Sequence, residues 1–257
     1  DSRHQPGRAS FFVRYLEDHT GFAPHGSEDF DEVRSRFEDP AFAWAEHRFV
    51  PPLARRPYVV MELVHGRLLQ AVIEGTPPLD DTERYIIMRH CCESLVYMHQ
   101  FGVIHRDFRG CNIFLQDRGP DCRCKVIDLG FMISVEDRQI MNPNAAVRCA
   151  WQGDPAKKLR FDWAPPEVRG RGSPNFATPA CSFDIFSFGV LILKLMRGRT
   201  WAQEVLQVDG GLVELEDVED DLRPLRLDRE ILLRMLSPKL PSHRPLPQEI
   251  LKAISNG

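Results

Sequence analysis

The sequence contains no lysine before Lys125. It also lacks a long apolar run, because its best one, FGVLILKLM at 188–196, is short and is interrupted by Lys194. About 20 consecutive apolar residues are needed to span a bilayer, so we predict no membrane segment. The first residues, DSRHQPGRAS, lack the apolar core of a secretory signal.

Charge and cysteine content exclude further classes of protein. The formal net charge is −4, which gives no overall basic footprint for nucleic acid or anionic lipid. The seven cysteines are odd in number and irregularly spaced, which argues against a disulfide framework. We therefore expect a globular protein of a reducing compartment, the cytoplasm, that does not bind nucleic acid.

The pattern of apolar residues changes near residue 65. Before it, YVVMELV at 58–64 is typical of a buried strand, and SEDFDEVRSRFED at 27–39 is typical of a helix. After it, helical patterns dominate, at 80–100, 182–198, 228–237 and 246–254. We therefore predict an α+β fold with a small strand-containing part, residues 1–64, and a larger, mainly helical part, residues 65–257.

Two short stretches of the larger part carry the chemistry. HRDFRGCNIFL at 105–115 places Asp107 and Asn112 five residues apart in a loop before a strand, and KVIDLG at 125–130 places Asp128 after a second strand. Phosphoryl transfer needs such a set. One carboxylate orients a hydroxyl, further oxygen atoms hold Mg²⁺ on the phosphates, and a cation offsets the developing charge.

These stretches resemble motifs of the eukaryotic protein kinase domain. HRDFRGCN matches H-R-D-x-x-x-x-N, DLG stands for D-F-G, and PPE at 165–167 stands for A-P-E. FDIFSFG at 183–189 resembles the D-x-W-S-x-G helix start of that family, and Arg244 resembles the arginine that pairs with the P-P-E glutamate. Five motifs in the family's order make a highly specific match. The resemblance implies a two-lobed kinase fold forming one kinase domain, ATP and Mg²⁺ as cofactors, and a protein substrate.

The resemblance also assigns catalytic roles. Asp107 would accept or orient the proton of the substrate hydroxyl, and Arg109 would lie beside the transferred phosphate. Asn112 would bind one Mg²⁺, and Asp128 would bind the ions that bridge the phosphates. These residues are the predicted catalytic and metal-binding set.

Further residues are assigned to nucleotide binding and to support. Met61 resembles the gatekeeper, the backbone of Glu62 and Val64 would bind adenine, and Phe114 would lie beneath the base. The predicted structural supports are Arg106, Glu167, Asp184 and Arg244, with an ion pair between Glu167 and Arg244.

The first part of the chain departs from the family pattern. The G-x-G-x-x-G loop is absent, and so is the lysine of V-A-I-K. SFFVRYL at 10–16 resembles the strand that carries this lysine, with Arg14 in its place and with Glu32 or Glu28 as the partner. Arginine keeps the charge but presents a larger planar group. We therefore expect an incomplete or degenerate amino-terminal lobe that binds ATP weakly.

The motifs conflict over the acceptor residue. Arg109 and KLRFDWAPPEV at 158–168 resemble tyrosine kinases, whereas LLRMLSPKLPSHRP near the end of the chain resembles serine/threonine kinases. Membership of the tyrosine-kinase-like group, with serine or threonine rather than tyrosine as acceptor, reconciles most of this. Asp162 is one of several acids that could pair with Arg106, although the simplest interpretation leaves it solvated.

Two other interpretations stay open. The first is a pseudokinase that works as a binding or allosteric module, because the amino-terminal lysine is missing. The second is a small-molecule phosphotransferase of the aminoglycoside-kinase type, which shares the aspartate and the asparagine five residues later. That type would not be expected to combine a P-P-E segment, an F-D-x-F-S-F-G helix and a late R-P.

Overall fold

In a computed structural model, the chain forms short antiparallel sheets and a mainly helical core. The structure describes residues 12–13, 15–18, 59–61, 63–128, 132–134, 162–169, 181–206, 215, 218–238 and 241–256. Contacts divide the chain into two compact units, Val13–Leu63 and the remainder. The predicted α+β class is confirmed.

The smaller unit contains one pair of described strands. Strand β1 (Tyr15–Asp18) runs antiparallel to β2 (Val59–Met61), with Tyr15 opposite Met61 and Asp18 opposite Val59. The register shifts between Tyr15 and Glu17, which marks a bulge in β1. Arg14, Glu28, Glu32 and the predicted helix at 27–39 lie outside the described residues.

The larger unit is built on helices whose starts the sequence specifies. Asp80 begins α2 with a capping box, in which its Oδ1 accepts from the Glu83 backbone N at 2.8 Å and Glu83 Oε2 accepts from the Asp80 backbone N at 3.0 Å. The helices of the unit are α1 (Leu69–Ile73), α2 (Asp81–Gln100), α3 (Pro166–Arg169), α4 (Ser182–Val205), α5 (Glu219–Leu222), α6 (Arg229–Met235) and α7 (Pro247–Asn256).

Helix α4 forms the centre of this unit. Every residue from Phe183 to Met196 is buried, as expected for a helix that is apolar on nearly all sides. Helices α2 and α6 pack against it, and α7 packs on α2. Gly189 permits the close approach of α6, because a Cβ atom there would lie 2.8 Å from Leu236 Cδ2.

Two small sheets of the larger unit carry the loops of the candidate site. In the first, β3 (Arg67–Leu68) pairs with β5 (Ile113–Gln116), which pairs with β6 (Arg123–Val126). In the second, β4 (Val103–Ile104) pairs with β7 (Ile133–Ser134). All these pairs are antiparallel. The β5–β6 hairpin aligns Ile113 with Val126, so the residues just outside both strands meet at one end.

Several local predictions are confirmed and one is wrong. The four predicted helices after residue 65 are present, and the one predicted at 182–198 continues to Val205 beyond an interruption at Gly198, where φ is 83°. The buried strand predicted at 58–64 is too long, because pairing ends at Met61 and Leu63 is 80% exposed. Within the stretch 10–16, Phe12 forms an isolated parallel bridge with Val126 and β1 begins at Tyr15, while the resemblance to the lysine-bearing strand stays a prediction because Arg14 lies outside the described residues.

No helix in the described part of the chain is both long enough and apolar enough to cross a membrane.

Candidate active site

The loop after β4 is anchored by a buried aspartate of α4. The Oδ2 atom of Asp184 accepts a hydrogen bond from the His105 backbone N, and Oδ1 accepts one from the Arg106 backbone N, each at 2.8 Å. The ring of His99 lies 3.0 Å from Oδ2 through its Nε2 atom. Asp184 is fully buried, so its fixed carboxylate determines where the following residue, Asp107, enters the site.

Asp107 is held by two neighbours on its own loop. The Nδ2 atom of Asn112 donates to the Asp107 carboxylate at 2.6 Å and to the Asp107 backbone O at 2.9 Å. The Nε atom of Arg109 lies 3.0 Å from Asp107 Oδ1 in an ion pair that lacks the alignment of a hydrogen bond. The predicted residues Arg109 and Asn112 therefore both contact the carboxylate of the third, Asp107.

The electrostatics of Asp107 reflect its burial. The pKa of this carboxyl is raised, chiefly by burial and also by the charge of Asp128. The Arg109 charge, the hydrogen bond from Asn112 and the charge of His105 act in the opposite direction and lower the pKa, but they do not outweigh burial. Asp107 is 6% exposed. The carboxylate is thus partly desolvated, which makes it a stronger proton acceptor than an exposed aspartate.

Asn112 and Asp128 lie at the same end of the β5–β6 hairpin. The Ile127 backbone N donates to the Asn112 backbone O at 2.8 Å, so the residue next to Asp128 is bonded directly to Asn112. Asp128 is exposed and has a φ of 57°, in the left-handed region. That conformation turns the chain sharply at the carboxylate.

The donor set at this end of the hairpin fits magnesium. Both hydrogen bonds from the Asn112 side chain to Asp107 use Nδ2, so neither uses the amide oxygen. Among the described residues no group of three or more His, Cys, Asp or Glu could hold a metal. Mg²⁺ needs no such group, because it binds through one or two protein oxygen ligands together with water and substrate phosphates.

A segment before α3 contacts the site from the side. The guanidinium carbon of Arg109 lies 4.2 Å from the centre of the Trp163 ring, within cation–π range. Asp162, the residue before Trp163, forms an ion pair with Lys194 of α4, whose Nζ atom lies 2.9 Å from Asp162 Oδ1. Both side chains are buried, so the expectation that Asp162 is solvated is wrong. The sequence contained a signal for this pair, a lysine inside the most apolar helix.

The expected ion pair between Glu167 and Arg244 is present. Arg244 Nη1 lies 2.6 Å from Glu167 Oε1, and Nη2 lies 2.8 Å from Oε2, which is a bidentate arrangement. The same guanidinium donates to the backbone oxygen atoms of Ser182 and Ser237. It therefore joins α3, the start of α4 and the end of α6.

The structure describes some of the predicted nucleotide-binding residues and not others. Met61 ends β2, Val64 is half-buried, and Phe114 is a half-buried residue of β5 opposite Leu68 and Lys125. Glu62 and Arg14 lie outside the described residues. The nucleotide-binding roles of all these residues stay predictions.

Comparison with known families decides what this arrangement belongs to. The family model of the protein kinase domain matches residues 52–251, which is most of the chain and includes Asp107, Asn112, Asp128, Glu167 and Arg244. The chain belongs to the protein kinase domain family. Members of this family generally use ATP and Mg²⁺. Placement within the tyrosine-kinase-like group stays a prediction.

Individual relatives agree with the family match. The chain is 32% identical to the serine/threonine-protein kinase PknB of Mycobacterium leprae over 55% of its length and 20% of the relative. It is 31% identical to a probable serine/threonine-protein kinase of Corynebacterium efficiens over 56% of its length and 19% of the relative. It is 27% identical to the serine/threonine-protein kinase CLA4 of Saccharomyces cerevisiae over 55% of its length and 15% of the relative. The match thus spans about a fifth or less of these relatives.

Proposed function

We propose that this protein kinase domain transfers the γ-phosphate of ATP to serine or threonine of a protein substrate, in a Mg²⁺-dependent reaction. The observation that supports this best is the buried Asp107 carboxylate, which contacts both Asn112 and Arg109 on a loop anchored by Asp184. A pseudokinase needs no such set, because binding alone requires no proton acceptor.

The residues divide the work as follows. Asp107 orients the acceptor hydroxyl and takes up its proton, and Arg109 offsets negative charge on the transferred phosphate. Asn112 and Asp128 would hold Mg²⁺, which neutralises phosphate charge when it is bound. Desolvation of Asp107 favours uptake of the proton and strengthens the attraction of Arg109.

The choice of acceptor rests on the relatives. Three of them carry serine/threonine-protein kinase in their names, from two bacteria and a yeast. The contact of Arg109 with Trp163 involves residue types that resemble tyrosine kinases, but it does not itself touch an acceptor. We therefore propose serine or threonine, with residues 1–64 and 65–257 forming one kinase domain that acts in the cytoplasm.

The decisive experiment replaces the proposed proton acceptor. Asp107→Asn keeps the side-chain size and removes the carboxylate, so transfer from radiolabelled ATP to a serine/threonine peptide library should be lost. Binding of Mg·ATP, measured by thermal stabilisation, should be retained because Asp107 acts on the hydroxyl. Long incubations are needed, because the chain lacks a lysine before Lys125 and its transfer rate is expected to be low.

The control makes the same chemical change at an exposed position. Asp117 lies five residues beyond Asn112, is exposed, and contributes nothing to the proposed site. Asp117→Asn should transfer phosphate at the wild-type rate. Equal transfer by the wild type and Asp107→Asn would show that the activity comes from a contaminant, and the proposal would fail.

A further inference from the structure

A buried ion pair beneath the site has no part in the chemistry described so far. Lys194 of α4 is 7% exposed and Asp162 is 6% exposed, and their Nζ and Oδ1 atoms are 2.9 Å apart. Gln203 donates from Nε2 to the other carboxylate oxygen at 3.3 Å. Lys194 and Gln203, which lie on opposite sides of Gly198 in α4, thus hold the same carboxylate.

The residue after Asp162 is fixed to the same helix. The hydroxyl of Ser187 donates to the Trp163 backbone O at 2.8 Å. Trp163 is 5% exposed, so its ring cannot turn without displacing packed neighbours. The segment is therefore attached to α4 at two successive residues, once through a side chain and once through the backbone.

The ring of Trp163 leads directly to the catalytic loop. Arg109 lies over this ring at 4.2 Å and contacts the Asp107 carboxylate at 3.0 Å. An arginine side chain has many rotamers, and a third of the Arg109 side chain is exposed. An aromatic face beneath the guanidinium favours the rotamers that keep it there.

We propose that the Lys194–Asp162 pair is a positioning device that fixes Trp163 beneath Arg109, so that Arg109 holds the Asp107 carboxylate in one orientation. A buried ion pair contributes little net stability compared with apolar residues, so the role proposed here is to fix one arrangement of Asp162. Lys194 acts through Asp162 and Trp163 and does not touch the reacting atoms. Only the last step, the effect on transfer, rests on the proposed function.

The position of Arg109 can be measured without any activity. In the ¹⁵N-labelled chain, the ring current of Trp163 should displace the Arg109 Nε–H signal upfield, with the signal assigned through Arg109→Lys. Trp163→Leu must abolish the displacement. The double variant Lys194→Met/Asp162→Asn removes both charges together and leaves none unpaired, and we expect the signal to lose its displacement. Lys194→Arg, which keeps the charge, should retain it.

Arg199→Met is the matched control, because it also removes a cation from α4. Arg199 pairs with Glu74 on the surface, where both side chains are more than 40% exposed. Its variant should leave the Arg109 signal unchanged. If the double variant does not fold, Lys194→Met alone removes the cation while the Asp162 carboxylate keeps its contact with Gln203. An unchanged Arg109 signal in the folded double variant, or in Lys194→Met used in its place, would overturn the proposal.

Kinetics then test the last step separately. The double variant should lower kcat for peptide phosphorylation by roughly tenfold to 100-fold while the KM for ATP stays constant, because a small misplacement costs rate rather than nucleotide affinity. Loss of the Arg109 displacement with unchanged kcat would refute this step. If the wild type transfers no phosphate, the proposed function fails, while the NMR result still decides whether Lys194 positions Arg109.

Discussion

At the scale of single residues, His99 is a titratable group in direct contact with the loop anchor, Asp184. Burial lowers its pKa, but the hydrogen bond and charge of Asp184, with Cys181, outweigh this effect and raise the pKa to about 9. Since Asp184 also accepts hydrogen bonds from the backbone of His105 and Arg106, a protonated His99 stabilises the same carboxylate that holds the loop of Asp107.

A pH dependence of stability follows. The folded pKa lies above the unfolded value of 6.5, so this stabilisation is fully present below pH 6.5 and is lost as the pH rises through about 9. His99→Gln should therefore destabilise the chain more at pH 6 than at pH 9.5, with a difference of up to about 3 kcal/mol. Urea unfolding at both pH values measures it.

The exposed His243 supplies the comparison for this effect. His243→Gln should change the free energy of unfolding little, and equally at both pH values. A His99→Gln penalty that does not vary with pH would show that His99 is neutral throughout, and that its contribution is packing alone.

Some residue contacts could be predicted from the sequence and others could not. The spacing of Asp107 and Asn112 predicted a shared site because both lie on one short loop. The pair of Lys194 and Asp162 was missed, because its partners are 32 residues apart and an aspartate in an irregular segment is usually solvated. Its one signal, a lysine inside an apolar helix, indicates a buried partner but does not say which one.

At the scale of elements, the contact of Arg244 with Glu167 joins three helices. The Arg244 side chain is fully buried, the Glu167 side chain is 13% exposed, and the guanidinium also lies 5.1 Å from the centre of the Phe186 ring. Removing one partner of such a pair leaves an uncompensated charge inside the protein.

Arg244→Ala should therefore lower the free energy of unfolding by about 3–5 kcal/mol. The matched variant is Arg234→Ala, whose ion pair with Glu249 is exposed on both sides and should contribute about 1 kcal/mol or less. Thermal unfolding of the two variants distinguishes a buried from a surface pair. Equal losses of stability would mean that the Glu167 contact does not anchor α3.

Element boundaries show where local sequence patterns are sufficient. Helix α2 was predicted to within a residue, because Asp80 and Glu83 form its cap and the apolar pattern continues to Gln100. The strand at 58–64 was predicted too long, because apolar side chains alone do not reveal where a partner strand ends. The described partner, β1, covers only Tyr15–Asp18, and Leu63 lies beyond its reach.

At the scale of the whole molecule, nucleotide affinity depends on how the chain holds the phosphates of ATP. The chain combines Asp107, Asn112 and Asp128 with a sequence that has no lysine before Lys125 and no glycine-rich loop. A glycine-rich loop supplies backbone N–H groups to the phosphates, and Arg14, predicted to stand in place of the lysine, would replace its charge but not its shape. We therefore expect this chain to bind Mg·ATP weakly and to transfer phosphate slowly.

Thermal stabilisation measures this affinity. A ligand stabilises the folded state by RT ln(1 + [L]/Kd), so micromolar Mg·ATP should give a shift near zero and millimolar Mg·ATP a small one. Asp128→Asn should reduce the millimolar shift, whereas Asp121→Asn, at an exposed position, should not. A large shift at micromolar Mg·ATP, lost in Asp128→Asn and accompanied by fast transfer, would contradict the expectation and assign the role of the lysine to another group.

The hydrogen bonds that Asp184 accepts from the backbone of His105 and Arg106 also determine when the loop of Asp107 can fold during synthesis. The partners are 79 and 78 residues apart, so the catalytic loop lacks its anchor until that much more chain has been made. At about 5–20 residues per second, the ribosome needs roughly 4–16 s to reach the anchor after the loop. Local helices form within microseconds. Helices of the nascent protein therefore form and melt many times before the loop that carries Asp107 can take its final shape.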